Sequence, residues 1–425
     1  MKNNNGNSMY ALAKRLFPIC RSLTGNGFRE SLNILREKNS DIVVEEVLSG
    51  LKVFDWTIPK EWNIKGGYIE TLNKERIIDF KDNNLHILGY STPIDMVVSK
   101  EELLEHIFTL PNQPDWIPYV TSYYKEQWGF CMSENQKRLL QNDKYHVVID
   151  SSLCDGSLTY GSLIIPGDTE EEIMITTYLC HPSMANNEIS GPVVWNELIS
   201  FIKNMSARRY TYRFVITPET IGSIAYINKN IEKLQNNVKA CFVLSCVGDD
   251  RTYSMIASKY GNTLADRVLK NVLQYHDPNY KYYSFLKRGS DERQYGAPGV
   301  ELPVCGFCRS KYGEYPEYHT SADNMELISP QGLQGAYDVM VKVINALEYN
   351  YNYRVTCLCE PQLGKRGLYP SVSKKGQYDH VQVLTNLITY CDGRNDLIDI
   401  SNLINAPIEL LISHVKRLRT EDLLV

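Results

Sequence analysis

Between residues 144 and 350 the chain alternates short apolar runs with stretches of helical periodicity, and this alternation limits its fold more than any other feature. Strands that alternate with helices predict a largely parallel sheet covered by helices on both faces. The predicted strands are 145–149, 158–165, 172–178, 212–216, 240–244 and 304–307. The predicted helices are 191–204, 223–235, 263–275 and 333–349.

The segments on either side of this region have a different character. Residues 9–37 show helical periodicity interrupted by a glycine-containing turn. Residues 42–125 carry short strand-like runs, such as 68–72 and 85–88, separated by turn residues, which predicts a small β-rich module. Residues 383–390, 399–404 and 408–419 predict three short amphipathic helices before an apolar end at 423–425, an order that resembles a winged helix.

Composition excludes several classes of protein. The 425 residues carry a formal net charge of -5, so the chain has no general attraction for nucleic acid or anionic membrane. No apolar run is long enough for a secretory signal or a membrane span, which predicts a cytoplasmic protein. Eleven cysteines, an odd number scattered over a long chain, indicate reduced thiols instead of a disulfide framework.

Two polar residues that follow apolar runs and a third in a polar loop are the candidates for chemistry. His181 follows the run 173–179, and Glu219 follows the run 213–217. His319 lies in a tyrosine-lined polar loop, where Asp323 is a candidate to orient it. Functional groups of open α/β sheets gather at the carboxyl ends of strands. Two histidines and an acid in such positions are typical of a catalytic zinc centre, in which a carboxylate takes the proton of a bound water.

Four motifs make the chain similar to a known family. They are Phe54-Asp55-Trp56-Thr57-Ile58-Pro59-Lys60-Glu61-Trp62-Asn63, Cys180-His181-Pro182-Ser183-Met184-Ala185-Asn186, Pro218-Glu219-Thr220-Ile221-Gly222-Ser223 and Glu317-Tyr318-His319-Thr320-Ser321-Ala322-Asp323. These resemble the co-catalytic zinc aminopeptidases and, over nearly the whole chain, bacterial aminopeptidase-like domain proteins often labelled as polysaccharide biosynthesis proteins. The resemblance implies a zinc-exopeptidase-like α/β core at 1–45 and 126–352, an inserted β-rich domain at 46–125, and a winged-helix domain at 353–425.

The resemblance also assigns roles to individual residues. His181 falls on the first metal-binding histidine of the family, His319 falls on the last, and Glu219 falls on the general base. Thr220 occupies the place of a metal-binding glutamate, and Asn187 occupies the place of the aspartate that bridges two metals. Because an asparagine lacks the negative charge of that bridge, the resemblance implies one zinc ion, with His181, Asn187 and His319 as its candidate ligands.

The remaining carboxylate of the family pattern has no clear counterpart. It would lie near residues 244–248, where no acid occurs before Asp249 and Asp250. Glu188, next to the bridging position, is a further candidate. The sequence leaves open which of these three acids completes the site.

The sequence therefore predicts a zinc-dependent aminopeptidase-like hydrolase that cleaves a peptide or amide bond with metal-activated water and Glu219 as base. The substrate is a peptide or another small amide, an acylated amino sugar included. The alternative is a catalytically degenerate binding or regulatory protein linked to polysaccharide biosynthesis. The C-terminal module is expected to bind a protein partner and not DNA, because acids offset its basic residues. The sequence does not fix the oligomeric state.

Overall fold

The structure is a computed structural model, which describes residues 5–368 and 378–425. The chain forms two compact units, Met1–Gly261 with Lys281–Tyr337 and Asn262–Tyr280 with Asp338–Val425. The domain boundaries given above at residues 45, 125 and 352 remain predictions. Within the described residues, no helix is both long enough and apolar enough to cross a membrane. All eleven cysteines are free thiols.

The described chain contains helices α1–α12 and strands β1–β16. The helices are α1 Asn5–Leu16, α2 Asn26–Arg36, α3 Lys100–Glu105, α4 Glu134–Lys137, α5 Ser190–Lys203, α6 Ile221–Asn237, α7 Leu264–His276, α8 Glu292–Tyr295, α9 Pro330–Glu348, α10 Tyr378–Tyr390, α11 Leu397–Leu403 and α12 Ile408–Thr420. The strands are β1 Val43–Leu48, β2 Lys52–Val53, β3 Trp56–Thr57, β4 Glu61–Thr71, β5 Arg76–Asp79, β6 Ile94–Ser99, β7 Ile107–Phe108, β8 Phe130–Cys131, β9 Lys144–Cys154, β10 Ser157–Ile165, β11 Glu172–Tyr178, β12 Thr211–Thr217, β13 Val238–Leu244, β14 Ser254–Ile256, β15 Lys281–Tyr283 and β16 Val304–Cys308.

The larger unit is built on an eight-stranded sheet in the order β1-β10-β12-β11-β13-β16-β14-β15. Its centre is parallel, because β11 pairs in parallel with β12 and β13, and β13 pairs in parallel with β16. On one side β1 and β10 join antiparallel to their neighbours, and on the other side β14 pairs antiparallel with β16 and parallel with β15. The predicted mixed, mostly parallel sheet is therefore confirmed.

The central strands are buried on both faces, which explains why they appear in the sequence as continuous apolar runs. Every residue of β11 is buried. Adjacent β12 residues face opposite sides: Phe214 meets Trp195 of α5, with ring centres 5.7 Å apart, whereas Val215 packs in a cluster with Ile224 of α6. Helices α5 and α6 thus cover opposite faces of the sheet.

A second sheet, in the order β5-β4-β9-β6, is antiparallel throughout. The sequence pattern grouped residues 145–149 with the α/β strands, but β9 belongs to this smaller sheet. The alternation of buried and less buried positions along β9 is typical of a strand with one covered face. Residues 85–88, predicted as a strand, begin instead inside a short 3₁₀ turn at Asn84–His86.

The smaller unit contains the three helices predicted near the end of the chain, α10, α11 and α12. Leu424 forms an isolated antiparallel bridge with Val355, so the apolar end of the chain pairs with the segment before α10. The Arg267 guanidinium on α7 donates to Asp396 and Asp399 at distances of 2.6 Å each, which attaches the start of α11 to α7 within this unit.

Candidate metal site and active site

The predicted site residues come together at the carboxyl edge of the large sheet. Strands β11 and β12 are parallel neighbours, so His181 after β11 and Glu219 after β12 emerge on the same side. His181 Nε2 lies 3.9 Å from Glu219 Oε2. The rings of His181 and His319 have their centres 5.2 Å apart. The structure thus brings two imidazoles and one carboxylate to one place from three distant segments.

These three side chains lie in a pocket of about 470 Å³. The pocket is lined by Leu23, Trp56, Tyr119, Val120, Thr121, Tyr123, Tyr124, Cys180, His181, Glu219, Thr220, Ile221, Arg293 and His319. Its aromatic wall comes from residues 56 and 119–124, which lie in the predicted inserted module. The large sheet therefore supplies the chemistry, and the β-rich region supplies the aromatic wall.

An irregular segment of the chain, residues 117–119, holds His319 in place. The Tyr119 amide donates to the His319 carbonyl at 2.9 Å, and the Ser321 amide donates to the Ile117 carbonyl at 2.9 Å. The imidazole stacks on Tyr318, with ring centres 3.8 Å apart. The backbone at His319 has a φ of 58°, a left-handed conformation that few non-glycine residues adopt.

The His319 imidazole is prepared to act as a ligand. Its Nε2 atom is buried and has no hydrogen-bond partner in the described chain. Burial, together with the nearby charge of His181, lowers the pKa of His319 to about 3. The ring is therefore neutral at physiological pH, which is the form that binds a metal.

His181 is oriented from behind by a carboxylate. Its Nδ1 atom contacts Glu188 Oε1, and the other Glu188 oxygen accepts the Cys180 amide at 2.6 Å. Burial acts to lower the pKa of His181, but the charge and hydrogen bond of Glu188 more than offset it, so the pKa is raised. A carboxylate on one ring nitrogen fixes the imidazole and leaves the other nitrogen for a metal. In this arrangement that nitrogen is Nε2, the atom closer to Glu219.

Glu219 stands next to a strained residue. Thr220 has φ 65° and ψ −78°, and the Ile221 amide donates to the Glu219 carbonyl at 2.8 Å, which closes a rare three-residue γ-turn. The Thr220 amide donates to Asp291 at 2.8 Å, and Arg293 donates to the Thr220 hydroxyl at 2.6 Å. A β-branched residue in this conformation costs on the order of 1–3 kcal/mol and has to be held by its surroundings.

Burial and the neighbouring charge of His181 act in opposite directions on the pKa of Glu219. Burial raises the pKa of Glu219 to about 8, against the opposing charge of His181. Asp291, which is also buried, has a pKa raised to about 6. A carboxyl group with a pKa near the working pH is suited to accept and return a proton.

Asn187 lies on the π-helical turn before α5 and is buried. It is not among the described residues that line the pocket. Its side-chain amide donates to the Tyr178 hydroxyl at 3.0 Å. Its Oδ1 atom is buried without a partner in the described chain. The Tyr178 ring centre is 6.3 Å from that of His181, so Asn187 contacts a residue that lies beside His181.

The predicted role of Asp323 is wrong. Instead of orienting His319, its two oxygens accept the backbone amides of Asn186 and Asn187, at 2.6 and 3.0 Å, and the hydroxyl of Tyr315, at 2.9 Å. Asp323 therefore fixes the loop that carries Asn187. The pKa of Asp323 is raised to about 6 by burial, against these hydrogen bonds.

Of the three alternative acids, only Glu188 contacts the site. Asp249 accepts from Ser310, at 2.8 and 2.9 Å, and from Asn186, and Asp250 accepts from the Ser329 hydroxyl at 2.5 Å. With these contacts, both aspartates stabilise the loop that follows β13, and neither is among the described residues that line the pocket. Glu188 is thus the one of the three that contacts His181, and which acid completes a metal site stays a prediction.

Gly191 anchors the same loop to the sheet. A Cβ atom at this position would lie 2.4 Å from Thr177 Oγ1 and 2.6 Å from the Leu244 carbonyl oxygen. The first turn of α5 therefore rests directly on the ends of β11 and β13, and only glycine fits there. This contact sets the depth of Asn187 and Glu188 in the fold.

The spacing of the two imidazoles is compatible with a single zinc ion. Two imidazoles bound to one tetrahedral zinc, with Zn–N bonds of about 2.0–2.1 Å, have ring centres roughly 5 Å apart, which matches His181 and His319. Cys180, His181 and Glu188 also have ligand atoms within 4.8 Å of one another. Burial, with the charge of Glu188, raises the pKa of Cys180 far above its usual value, so this thiol is a poor ligand. We therefore assign Glu188 to orientation of His181.

The fold and the pocket define the class as an aminopeptidase-like α/β protein with a C-terminal winged helix. More particularly, residues 10–350 match the family described as a domain of unknown function, DUF4910, and the chain belongs to that family. Residues 351–425 match a winged helix-turn-helix family. Both the resemblance and the fold class predicted from the sequence are confirmed.

Two relatives come from Clostridium acetobutylicum. One is 45% identical over 401 residues, 93% of this chain and 91% of the relative, and carries the provisional name polysaccharide biosynthesis protein with aminopeptidase-like domain. The other is a crystal structure of a provisionally assigned peptidase, with a TM-score of 0.93 and 41% identity over 100% of this chain and 97% of that chain. A zinc aminopeptidase from Bacillus subtilis shares the fold at 13% identity, with a TM-score of 0.57 over 80% of this chain and 94% of its own.

Sequence reasoning missed two residues around the site. Tyr119, whose ring centre is 4.6 Å from that of His181 and 5.1 Å from that of His319, comes from the β-rich region. The only signal for it was the density of tyrosine at 119–124. Asp291, which holds Thr220, follows a Gly-Ser pair before α8, and no feature of the sequence separates it from an ordinary helix-start acid.

Proposed function

We propose that the protein is a zinc-dependent amide hydrolase of the aminopeptidase-like class that works with one metal ion. One observation carries the proposal: the buried, unpartnered Nε2 of His319 lies in the same pocket as His181 and Glu219. Donor atoms that are buried without partners are costly unless a ligand satisfies them. His181, His319 and Asn187 are the proposed metal ligands.

A zinc ion in such a site would polarise the amide carbonyl and lower the pKa of a bound water. The side chains of the chain then have distinct tasks. His181 and His319 bind, Glu188 fixes the ring of His181, and Glu219 takes the proton of the attacking water and passes it to the leaving amine. The γ-turn at Thr220 points the Glu219 carboxyl toward this proton path, and the aromatic wall limits access of bulk water.

Metal content is the first test. The purified chain, stripped with a chelator and dialysed against zinc, is expected to retain about one zinc per chain by elemental analysis. Replacing Asn187 by alanine is expected to weaken binding, and Asn187→Asp, which adds a negative charge, is expected to strengthen it. A chain that retains no transition metal after reconstitution contradicts the proposal.

Catalysis is the second test. Against a panel of peptides, N-acyl amino acids and N-acylated amino sugars, Glu219→Gln is expected to lower turnover by about 10²–10⁴-fold while zinc stays bound. Glu314→Gln is the matched control, because Glu314 is exposed and lies outside the pocket lining. Equal turnover by wild type and Glu219→Gln contradicts the assignment of the base.

A second candidate function is a binding or regulatory protein. The observation that favours it is the uncharged pair Asn187 and Thr220, which stand where the resembling enzymes have metal-binding carboxylates. Tight, stoichiometric binding of an amide compound without turnover, in a zinc-loaded chain, would identify this function. The link to polysaccharide biosynthesis would then concern control of that process.

We further propose that the chain works in the cytoplasm and that the C-terminal winged helix binds a protein partner. Acids offset the basic residues of this unit in number, and ion pairs join Arg267 to Asp396 and Lys342 to Glu409. DNA recognition usually needs a concentrated basic face. Salt-dependent retention of the full chain on double-stranded DNA would contradict this role.

A further inference from the structure

A second pocket, the outer compartment, adjoins the pocket at the proposed metal centre. It has a volume of about 550 Å³ and shares Trp56, Tyr123 and Tyr124 with the inner pocket. It is lined by Asp55, Trp56, Thr57, Ile58, Pro59, Lys60, Tyr90, Ser122, Tyr123, Tyr124, Lys125, Glu126 and Leu153. The two pockets are together called the cleft, and they offer more space than the reacting amide group needs.

The wall shared by the two compartments is aromatic and rigid. The Tyr123 hydroxyl is 2.8 Å from the Tyr119 hydroxyl, and the Tyr123 ring meets Tyr90 edge-on with ring centres 5.0 Å apart. Tyr90 stacks in turn on Trp62, with ring centres 5.8 Å apart. A wall fixed in this way offers flat apolar surface to a ring of the ligand at little entropic cost.

The charges that face the inner pocket are unusual for a site that binds a free amino terminus. Among its lining residues, Glu219 is the only acid. Arg293, the only cation besides the histidines, is exposed and donates to the Thr220 hydroxyl. In the described chain no carboxylate forms an ion pair with Arg293. The pocket thus holds a cation available to a ligand and no spare acid for an ammonium group.

We propose that the cleft selects an N-acylated amine that carries a ring and an anionic group, such as an acidic acylated amino sugar, over a free amino terminus. The Arg293 guanidinium binds the carboxylate or phosphate of the ligand, and Trp56, Tyr123 and Tyr124 flank its ring. The inference rests on the proposed function for the identity of the amide that is cleaved. The selectivity for an anion depends only on the pocket.

Binding of three matched sugars tests this selectivity without turnover. N-acetylmuramic acid is anionic, N-acetylglucosamine is neutral, and glucosamine is a free amine. Calorimetric titration of the metal-free chain and of zinc-loaded Glu219→Gln is expected to give the anionic sugar a Kd about tenfold below that of the neutral one, with glucosamine weakest. The pair N-benzoylglycine and N-benzoylglycinamide repeats the comparison of an anionic with a neutral compound without a sugar. If the anionic compound gains less affinity in this pair than in the sugar pair, the aromatic wall prefers a carbohydrate ring.

Variants of Arg293 locate the effect. Arg293→Gln is expected to abolish the anionic preference, Arg293→Lys is expected to retain part of it, and Arg288→Gln, an exposed arginine outside the cleft lining, is expected to retain all of it. Equal affinity for the anionic and neutral compounds, or strongest binding of glucosamine, overturns the inference. If the preference persists in a chain that binds no zinc, the proposed function fails while the anion site stands.

Discussion

Glu188 receives a hydrogen bond from Nδ1 of His181, and the same carboxylate receives the amide of Cys180, the residue just before that histidine. The acid therefore fixes both the ring of His181 and the backbone that carries it. A buried group with these two contacts has little freedom to act as a metal ligand itself. The relationship makes Glu188 a positioning residue, and its removal should affect the metal more than the fold.

We expect Glu188→Gln to weaken zinc binding by about 10–100-fold, because loss of the carboxylate lowers the basicity of the His181 ring and frees its orientation. Competition with a chromophoric chelator measures this affinity. Circular dichroism serves as the control for folding, and Glu314→Gln serves as the control for an ordinary change of charge. Unchanged zinc affinity in a folded Glu188→Gln chain would remove Glu188 from the site.

For His319 the informative substitution is asparagine. Its φ of 58° penalises alanine, whereas asparagine tolerates the left-handed region and keeps the fold. We expect His319→Asn to unfold at nearly the wild-type temperature and to lose most of its zinc affinity. Thermal unfolding with and without zinc measures both quantities. If zinc raises the unfolding temperature of the variant as much as that of the wild type, His319 is not a ligand.

The variant Thr220→Gly tests whether the strained backbone at Thr220 contributes to catalysis. Glycine adopts the γ-turn without steric conflict, so stability is expected to stay within about 1 kcal/mol of the wild type or to rise. Turnover is expected to fall, because the Glu219 carboxyl loses a rigid neighbour and Arg293 loses its hydroxyl partner. Urea unfolding and steady-state kinetics together test this expectation. A variant that is both clearly less stable and fully active would show that the strain has no catalytic role.

Acid sensitivity is expected to come in part from Glu61. Arg29 donates to both Glu61 oxygens, at 2.8 and 2.7 Å, and this hydrogen bonding lowers the pKa of Glu61 to about 2. A lowered pKa stabilises the folded state above the unfolded pKa of about 4.3, and this contribution disappears as the pH falls toward 2. Because solvent screens this partly exposed pair, the contribution at neutral pH is on the order of 1 kcal/mol.

Urea unfolding of wild type and Glu61→Gln between pH 7 and pH 2.5 measures this contribution. The difference between the two free energies of unfolding is expected to be largest above pH 5 and to shrink below it. Glu75→Gln, at an exposed position of the β4–β5 turn, is the control. A difference that does not change with pH would show that the Glu61 carboxylate makes no charge-dependent contribution.

The elements of the large sheet were predictable because each buried parallel strand consists of a continuous run of apolar residues. The predicted strand at 172–178 coincides with β11, and the predicted helix at 333–349 lies close to α9. Pairing was less predictable. Strand β9 has the length and composition of a core strand, and its partners β4 and β6, which lie far earlier in the chain, decide which sheet it joins.

The site was predictable where residues follow strands and was not where side chains meet from distant loops. His181 and Glu219 come from adjacent parallel strands, so their proximity follows from topology. The wall residue Tyr119 depends on a hydrogen bond to the loop of His319, two hundred residues away, and no local pattern records that contact. Asp323 was correctly noted as important but assigned to the wrong neighbour, because sequence distance favoured His319 over Asn187.

Gly191 has a consequence for how variation in this family should be interpreted. Because any side chain there collides with Thr177 and Leu244, each substitution would displace Glu188 and, through it, His181. In a saturation mutagenesis screen this glycine should be as intolerant as the histidine, although it touches neither ligand nor metal. Natural chains that keep the metal-binding residues but replace this glycine would then be expected to have lost the site.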